Sequence, residues 1–238
     1  MKVRLHLDQP LAPGQPVALS REASNYLFAV LRLEVGAHLL VFNGQDGEFA
    51  ATVTQANKKN GALMPGAQTR PVQPPPDLWL CFAPIKRARA EIIVEKSVEL
   101  GVARLVPVLT DFTNAERLRP DKLRAQMIEA AEQCEAVFIP DLAGPQALSH
   151  LLDHWPDDRR ILWADEARDA SHATLAALER GKWAVLIGPE GGFSPTERAR
   201  LRALPFVTPL SLGPRILRAE TAAIAALALW QAHLGDWT

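Results

Sequence analysis

Two stretches near the carboxy end hold most of the side chains that could do chemistry together. The first, Gly188-Pro189-Glu190-Gly191-Gly192, places one carboxylate among three glycines. The second, Leu212-Gly213-Pro214-Arg215-Ile216-Leu217-Arg218-Ala219-Glu220-Thr221, offers two guanidinium groups and another carboxylate. Glycine reaches backbone angles closed to other residues and lets a ligand approach the main chain. The chemistry suggested is recognition of a small molecule largely by backbone, with a few charged groups beside it. Other common chemistries lack their signatures: the chain has no GxxxxGK[ST] phosphate loop and no GxSxG nucleophile elbow, and its glycine spacing is not GxGxxG. His150 and His154 stand four apart without HExxH, so they read as a polar helix edge and no metal is expected.

Each stretch stands between a strand and a helix. Residues 183–187 are a continuous apolar run, as in a strand covered on both faces. Ser194 at N-cap, Pro195 at N1 and Glu197 at N3 then spell a capping box. The apolar segment 206–212 precedes the second stretch, and an Ala/Leu-rich helix over 222–234 follows it. In open α/β sheets, strand–loop–helix corners of this kind bind ligands. Upstream, strands at 78–83, 105–109 and 161–164 alternate with helices at 86–100, 120–135 and 170–180. Such alternation predicts an α/β fold with a mostly parallel sheet and helices on both faces.

The first 70 residues follow another pattern. Strands are predicted at 2–7, 17–19, 37–42, 48–54 and near 62–64, with Asn43-Gly44 as a turn. Arg4 and His6 fall on the opposite face of the first strand from Val3, Leu5 and Leu7. One helix is predicted over 21–32, capped by Ser20, with Leu27, Val30 and Leu31 on one face. This is a small barrel. Arg70 to Asp77 contains four prolines in eight residues, which fit neither a helix interior nor a central strand. The division is a barrel at 1–70, a stiff linker at 71–77 and an α/β domain at 78–238.

Lys and Arg number 26 against 27 Asp and Glu, a formal net charge of −1. That excludes coating of nucleic acid by bulk charge and leaves room for a local basic patch. Cys81 and Cys134 are far apart and outside any CxxC, as expected of a reduced, cytoplasmic protein. No apolar leader opens the sequence, and the longest apolar run, 221–230, is too short to cross a bilayer, so no membrane is expected.

The segments IGPEGGFSPTE at 187–197 and LGPRILRAET at 212–221 resemble the C-terminal motifs of the ribosomal small-subunit methyltransferase E family. That family belongs to the SPOUT class of S-adenosylmethionine (SAM)-dependent methyltransferases. The likeness extends along the chain. Leu31-Arg32, Val41-Phe42 and Gly44 resemble the family's N-terminal RNA-binding domain. Lys86, Glu91, Lys96, Ser97 and Glu99-Leu100-Gly101-Val102 resemble its first catalytic-domain helix, and Glu132-Gln133-Cys134 a further segment. The resemblance implies a PUA-like β-barrel that binds RNA and a SPOUT α/β domain with a trefoil knot. It also implies a homodimer that uses SAM to methylate N3 of one uridine in 16S rRNA of the small ribosomal subunit.

On that reading, Leu186, Gly188, Glu190, Gly191, Leu212, Gly213, Ile216, Leu217 and Thr221 hold SAM. The glycines admit main-chain contact, the aliphatic side chains supply walls, and Glu190 faces the sulfonium charge. Arg218 stabilises negative charge left on the imide when the N3 proton departs. Glu220 is the nearest acid in sequence to take that proton. It reads equally as a helix N-terminal carboxylate, favourable to the helix dipole by ~0.3–1 kcal/mol. Arg4, Arg32, Lys58, Lys59, Lys86 and Arg215 are the RNA candidates, with Arg87 and Arg89 beside them; phosphate contacts of this kind give salt-dependent affinity. Arg215 reads equally as the partner of an acid within the fold. Phe112 and Ala136 depart from the family, which typically has arginine there, and this removes two carried-over RNA contacts. Two other readings use the same residues: a SPOUT enzyme acting on a ribose 2′-hydroxyl or a tRNA base, and a non-catalytic RNA-binding assembly factor.

Overall fold

The computed structural model describes residues 3–114, 118–165 and 175–237. The chain forms two compact units: Met1–Pro74 together with Ala131–Ile139, and Pro75–Ala130 together with Pro140–Thr238. The break near residue 74 falls inside the proline-rich stretch expected as a linker. The short return of 131–139 to the first unit had no signal in the sequence.

In the first unit, strands β1 (Arg4–His6), β2 (Val17–Ala18), β3 (His38–Phe42), β4 (Glu48–Gln55) and β5 (Ala62–Arg70) form one sheet in the order β1-β3-β4-β5-β2. The β1–β3 pair is parallel and the other pairs are antiparallel, giving a half-barrel. Leu5, Val41, Phe49, Val53 and Leu63 meet Leu27 in its core. The Asn43-Gly44 turn is real but longer than a two-residue hairpin. Asn43 Oδ1 accepts from the amides of Gln45 and Asp46 at 2.9 and 2.8 Å, and Gly44 has φ +78°.

The predicted helix over 21–32 is corrected in its second half. It is α-helical only as α1 (Arg21–Asn25) and continues as a π-helix over Tyr26–Val30. The Leu31 amide donates to Tyr26 O, five residues back. Wider turns carry Val30 off the apolar face, so it is 62% exposed while Leu27 and Phe28 are buried.

Arg4 is the clearest correction. It is 7% exposed, not on a free face. Its Nε donates to Glu48 Oε2 at 2.8 Å, Nη1 to Ala131 O at 2.7 Å and Nη2 to Ala136 O at 3.1 Å. Its guanidinium also lies 4.5 Å from the Phe42 ring centroid. Residues 131–139 cover the polar face of β1, which alternation within one strand cannot foretell. Arg4 is therefore withdrawn from the RNA candidates. The Ala136 carbonyl helps to hold this arginine, so that departure position does structural work here.

The second unit contains β6 (Leu78–Phe82), α2 (Arg87–Glu99), β7 (Arg104–Leu109), α3 (Pro120–Cys134, with its last turn in the first unit), β8 (Asp141–Leu142), β9 (Gln146–Ala147), α4 (Leu148–Asp153), β10 (Arg159–Ala164), β11 (Lys182–Ile187), α5 (Pro195–Ala203), β12 (Val207–Leu210) and α6 (Ala219–Leu234). Every recorded strand pair is parallel, in the order β12-β10-β11-β6-β7-β8, with β9 also on β7. Trp183 to Ile187 are all buried, which explains the unbroken apolar run in β11. Trp163, Trp183 and Trp230 are completely buried in the core. Of the helix expected over 170–180, residues 170–174 lie outside the described residues, and Leu175–Ala177 form one 3₁₀ turn. Among the described residues, no helix is long and apolar enough to cross a membrane. Cys81 is buried and Cys134 exposed, both as thiols outside any disulfide; burial pushes the Cys81 thiol up to about 12.

Candidate active site

β12, β10 and β11 lie side by side and parallel, so their carboxyl ends open on one edge of the sheet. The two loops singled out in the sequence start there and meet over the end of β10. One cavity, of about 470 Å³, is bounded by Ala164, Asp165 and the second loop from Ser211 to Leu217. A second, of about 680 Å³, is bounded by Gly188, Pro189, Glu190 and Gly192 of the first loop and by Arg218 and Ala219. Ala164, Ile216, Leu217 and Ala222 line both. Both spaces are open to solvent along one side.

The structure brings together Gly188, Glu190, Leu212, Gly213, Arg215, Ile216, Leu217 and Arg218 on these walls. Gly188 is needed for packing as well as access, since a Cβ there would sit 2.7 Å from the Phe193 ring. Gly213 has φ +97°, where side chains are strained, although nothing lies within 4 Å of where its Cβ would be. Arg218 is the exposed N-cap of α6, and its carbonyl accepts from the Ala222 amide at 2.8 Å.

Other expected site residues lie off the walls. Leu186 is 1% exposed within β11, behind the strand end. At Gly191 a Cβ would face Phe112 at 3.3 Å, and Gly192, with φ +69°, lines the cavity instead. Thr221 is exposed, whereas Ala222, about 100° further round α6, faces both cavities. Glu220 lines neither cavity. Its side chain is 13% exposed, with Oε1 3.7 Å from Arg89 Nε and with Oε2 buried and without a hydrogen-bond partner.

Arg89 links the two loops. Expected as an RNA contact, it places Nη1 3.6 Å from Glu190 Oε1 while its Nε faces Glu220. Nothing in the spacing of α2 signalled this role. Asp165 was also missed. It sits past the end of β10 with its side chain fully buried, accepting from Arg198 Nη1 at 2.6 Å and Arg202 Nη2 at 3.1 Å.

The predicted capping box fixes the first loop. Ser194 Oγ accepts from the Glu197 amide at 3.2 Å, and Glu197 Oε2 accepts from the Ser194 amide at 2.8 Å. Glu197 Oε1 also accepts from the Asp111 amide at 2.9 Å, and Ser194 Oγ donates to Asp111 Oδ2. The cap thus ties the loop to the segment after β7. Among the remaining basic candidates, Arg32, Lys58, Lys59, Lys86 and Arg215 are all exposed. The His150 and His154 rings lie tilted at 43° with centroids 4.3 Å apart, and among the described residues no group of three or more His, Cys, Asp or Glu is placed to hold a metal.

Comparisons with known proteins bear on this geometry. Residues 72–231 match the model of an RNA methyltransferase domain, and residues 19–62 match that of an RNA methyltransferase PUA domain. A ribosomal RNA small subunit methyltransferase E from Rickettsia conorii is 29% identical, covering 94% of this chain and 93% of its own. One of the same name from Synechocystis is 31% identical, over 89% and 71%. A Legionella pneumophila methyltransferase solved with bound SAM is 34% identical with a TM-score of 0.89, covering 99% of both chains. A Neisseria gonorrhoeae ribosomal RNA small subunit methyltransferase E bound to SAM has a TM-score of 0.87 at 26% identity, over 100% of both.

Proposed function

This chain belongs to the ribosomal RNA small subunit methyltransferase E family, and we propose that its target atom is N3 of one uridine in 16S rRNA. It is a SAM-dependent methyltransferase of small-subunit ribosomal RNA. The observation that carries the donor site is the shared wall of Ala164, Ile216, Leu217 and Ala222, over which the two loops converge; the target atom follows from the family resemblance of the two loop motifs.

The residues present fit SAM. Gly188 and Gly213 leave main chain open to approach, Leu212 and Leu217 supply apolar wall, and Glu190 offers a carboxylate on that wall. When bound, SAM supplies an electrophilic methyl group beside a cationic sulfur. Glu190 lowers the electrostatic cost of holding that cation. Methyl transfer is an in-line displacement, so holding donor and base in line would supply much of the catalysis by positioning. Arg218, exposed at the rim, stabilises the negative charge that grows on the imide as the N3 proton leaves. Glu220 is held toward Arg89 and off the cavity wall, which favours the helix-terminal reading of this carboxylate over a direct role as base.

The same reading extends to a trefoil knot in the C-terminal segments, a cytoplasmic location and a homodimer. Ile216 at 76% and Leu229 at 38% are exposed apolar side chains that such a dimer would cover. Arg32, Lys58, Lys59, Lys86 and Arg215 are the remaining contacts for RNA phosphate. The test is incubation with labelled SAM and unmethylated small subunits, followed by mass-spectrometric mapping of the modified nucleoside. N3-methyluridine supports the assignment; label on a ribose hydroxyl or another base overturns it.

A further inference from the structure

A third cavity lies between the starts of two long helices, beside the chain turns that follow β6 and β7. Its space of about 560 Å³ is partly open to solvent. Its floor is apolar, formed by Ile85, Ala90 and Leu123, all buried. Its rim carries three cations, Arg87, Arg119 and Lys122, against one carboxylate, Glu91. Arg87 Nε donates to Glu91 Oε1 at 2.8 Å and Arg119 Nη2 to Asp121 Oδ2 at 3.0 Å. Both pairs are more than one-third exposed on each side, so they cost little to rearrange around an incoming anion.

The cations stand where helix stability does not want them. The first turn of α2 has no acidic residue and carries Arg87 and Arg89 behind an N-cap Lys86. Lys122 is in the first turn of α3. Positive side chains at a helix N-terminus oppose the dipole, so local preference is sacrificed at α2, while Asp121 in the first turn of α3 offsets Lys122 there. An apolar floor beneath a cationic rim matches a nucleotide, which has a flat apolar face and an anionic phosphate.

We propose that this cavity is a second RNA subsite, which takes a nucleotide flanking the methylated one. The base lies on Ile85, Ala90 and Leu123, the phosphate between Arg119 and Lys122, and Glu91 accepts from a base amino group or a ribose hydroxyl. The proposal rests on the chain's being an RNA methyltransferase. It also explains how one helical turn serves two sites: Arg87 and Ala90 line this cavity, while Arg89 between them reaches Glu190 on the donor wall.

The experiment compares wild type with Arg119→Ala/Lys122→Ala and the charge-conserving Arg119→Lys/Lys122→Arg. RNA affinity is measured against salt by filter binding to a 16S fragment, and SAM affinity by calorimetry. In the alanine pair the slope of log K against log salt falls by about 0.7 for each phosphate that is no longer neutralised. Its KM for RNA rises several-fold more than its kcat falls, SAM affinity holds, and the charge-conserving pair recovers RNA affinity. An unchanged RNA affinity and salt slope overturns the subsite, as does loss of SAM affinity together with RNA affinity. If wild type binds RNA but transfers no methyl group, the enzymatic reading fails, while the salt slope still decides the subsite.

Discussion

Arg218 and Arg89 separate two kinds of contribution at this site. Arg218 stands exposed at the rim, so Arg218→Ala leaves stability within about 0.5 kcal/mol. On the proposed mechanism its loss removes a charge aimed at the developing anion, and turnover falls about 10²–10³-fold, as for other single electrostatic donors. Unchanged label transfer would remove Arg218 from the mechanism. Arg89 acts through others, holding Glu190 and Glu220 at 3.6 and 3.7 Å. Partly exposed pairs contribute roughly 0.2–1 kcal/mol each, so loss of both in Arg89→Ala lowers turnover about two- to thirtyfold, with partial recovery in Arg89→Lys. A fall as deep as that of Arg218→Ala would show that Arg89 meets the reacting atoms. That Gly188, Gly213 and Arg218 lie on cavity walls was legible in the sequence because strand–loop–helix patterning is local, whereas Gly191 was misplaced there. Arg89 and Asp165 were not legible, because their partners lie far along the chain and spacing carries no sign of them.

Helix α5 shows how far local rules reach. Ser194, Pro195 and Glu197 predicted its start, and the capping box is present with both bonds. Ser194→Ala therefore costs about 1 kcal/mol in denaturant unfolding, within a usual range of 0.5–2. The loss of the bond to Asp111 also loosens the first loop, so SAM affinity falls with it. Equal stability and equal SAM affinity would show that the cap does not position the loop. Buried parallel strands were equally legible, because a strand covered on both faces leaves an unbroken apolar run, as in β11. Two-residue strands such as β8 and β9 are too short to leave a pattern. The π-helix over Tyr26–Val30 escaped because its period differs from the 3.6 residues on which the prediction rested.

Across the molecule, the first unit depends on a buried ion cluster that the sequence presented as surface charge. Burial pushes the Glu48 carboxyl up, but hydrogen bonds from Arg70, Thr69 and Arg4 outweigh it and hold it at about 2, against an ordinary 4.5. A lowered folded value means the stabilisation is full above about pH 4.5 and is lost as pH falls toward 2. The difference corresponds to about 3 kcal/mol. Acid unfolding of the wild type should steepen through that window, and Glu48→Gln should be less stable at pH 7 with a flatter acid limb. Matching acid limbs would show that Glu48 is not the group responsible. Because Arg4 in this cluster also binds the carbonyls of Ala131 and Ala136, the cluster is what joins residues 131–139 to the half-barrel.

All of the proposed chemistry requires one donor site built jointly by the loops after β11 and β12. A crystal structure of this chain grown with SAM would place the donor against Gly188–Gly192 and Leu212–Leu217 at once, over Ala164, with its methyl group toward Arg218. A donor bound elsewhere, or touching only one of the two loops, would contradict that site and the mechanism derived from it.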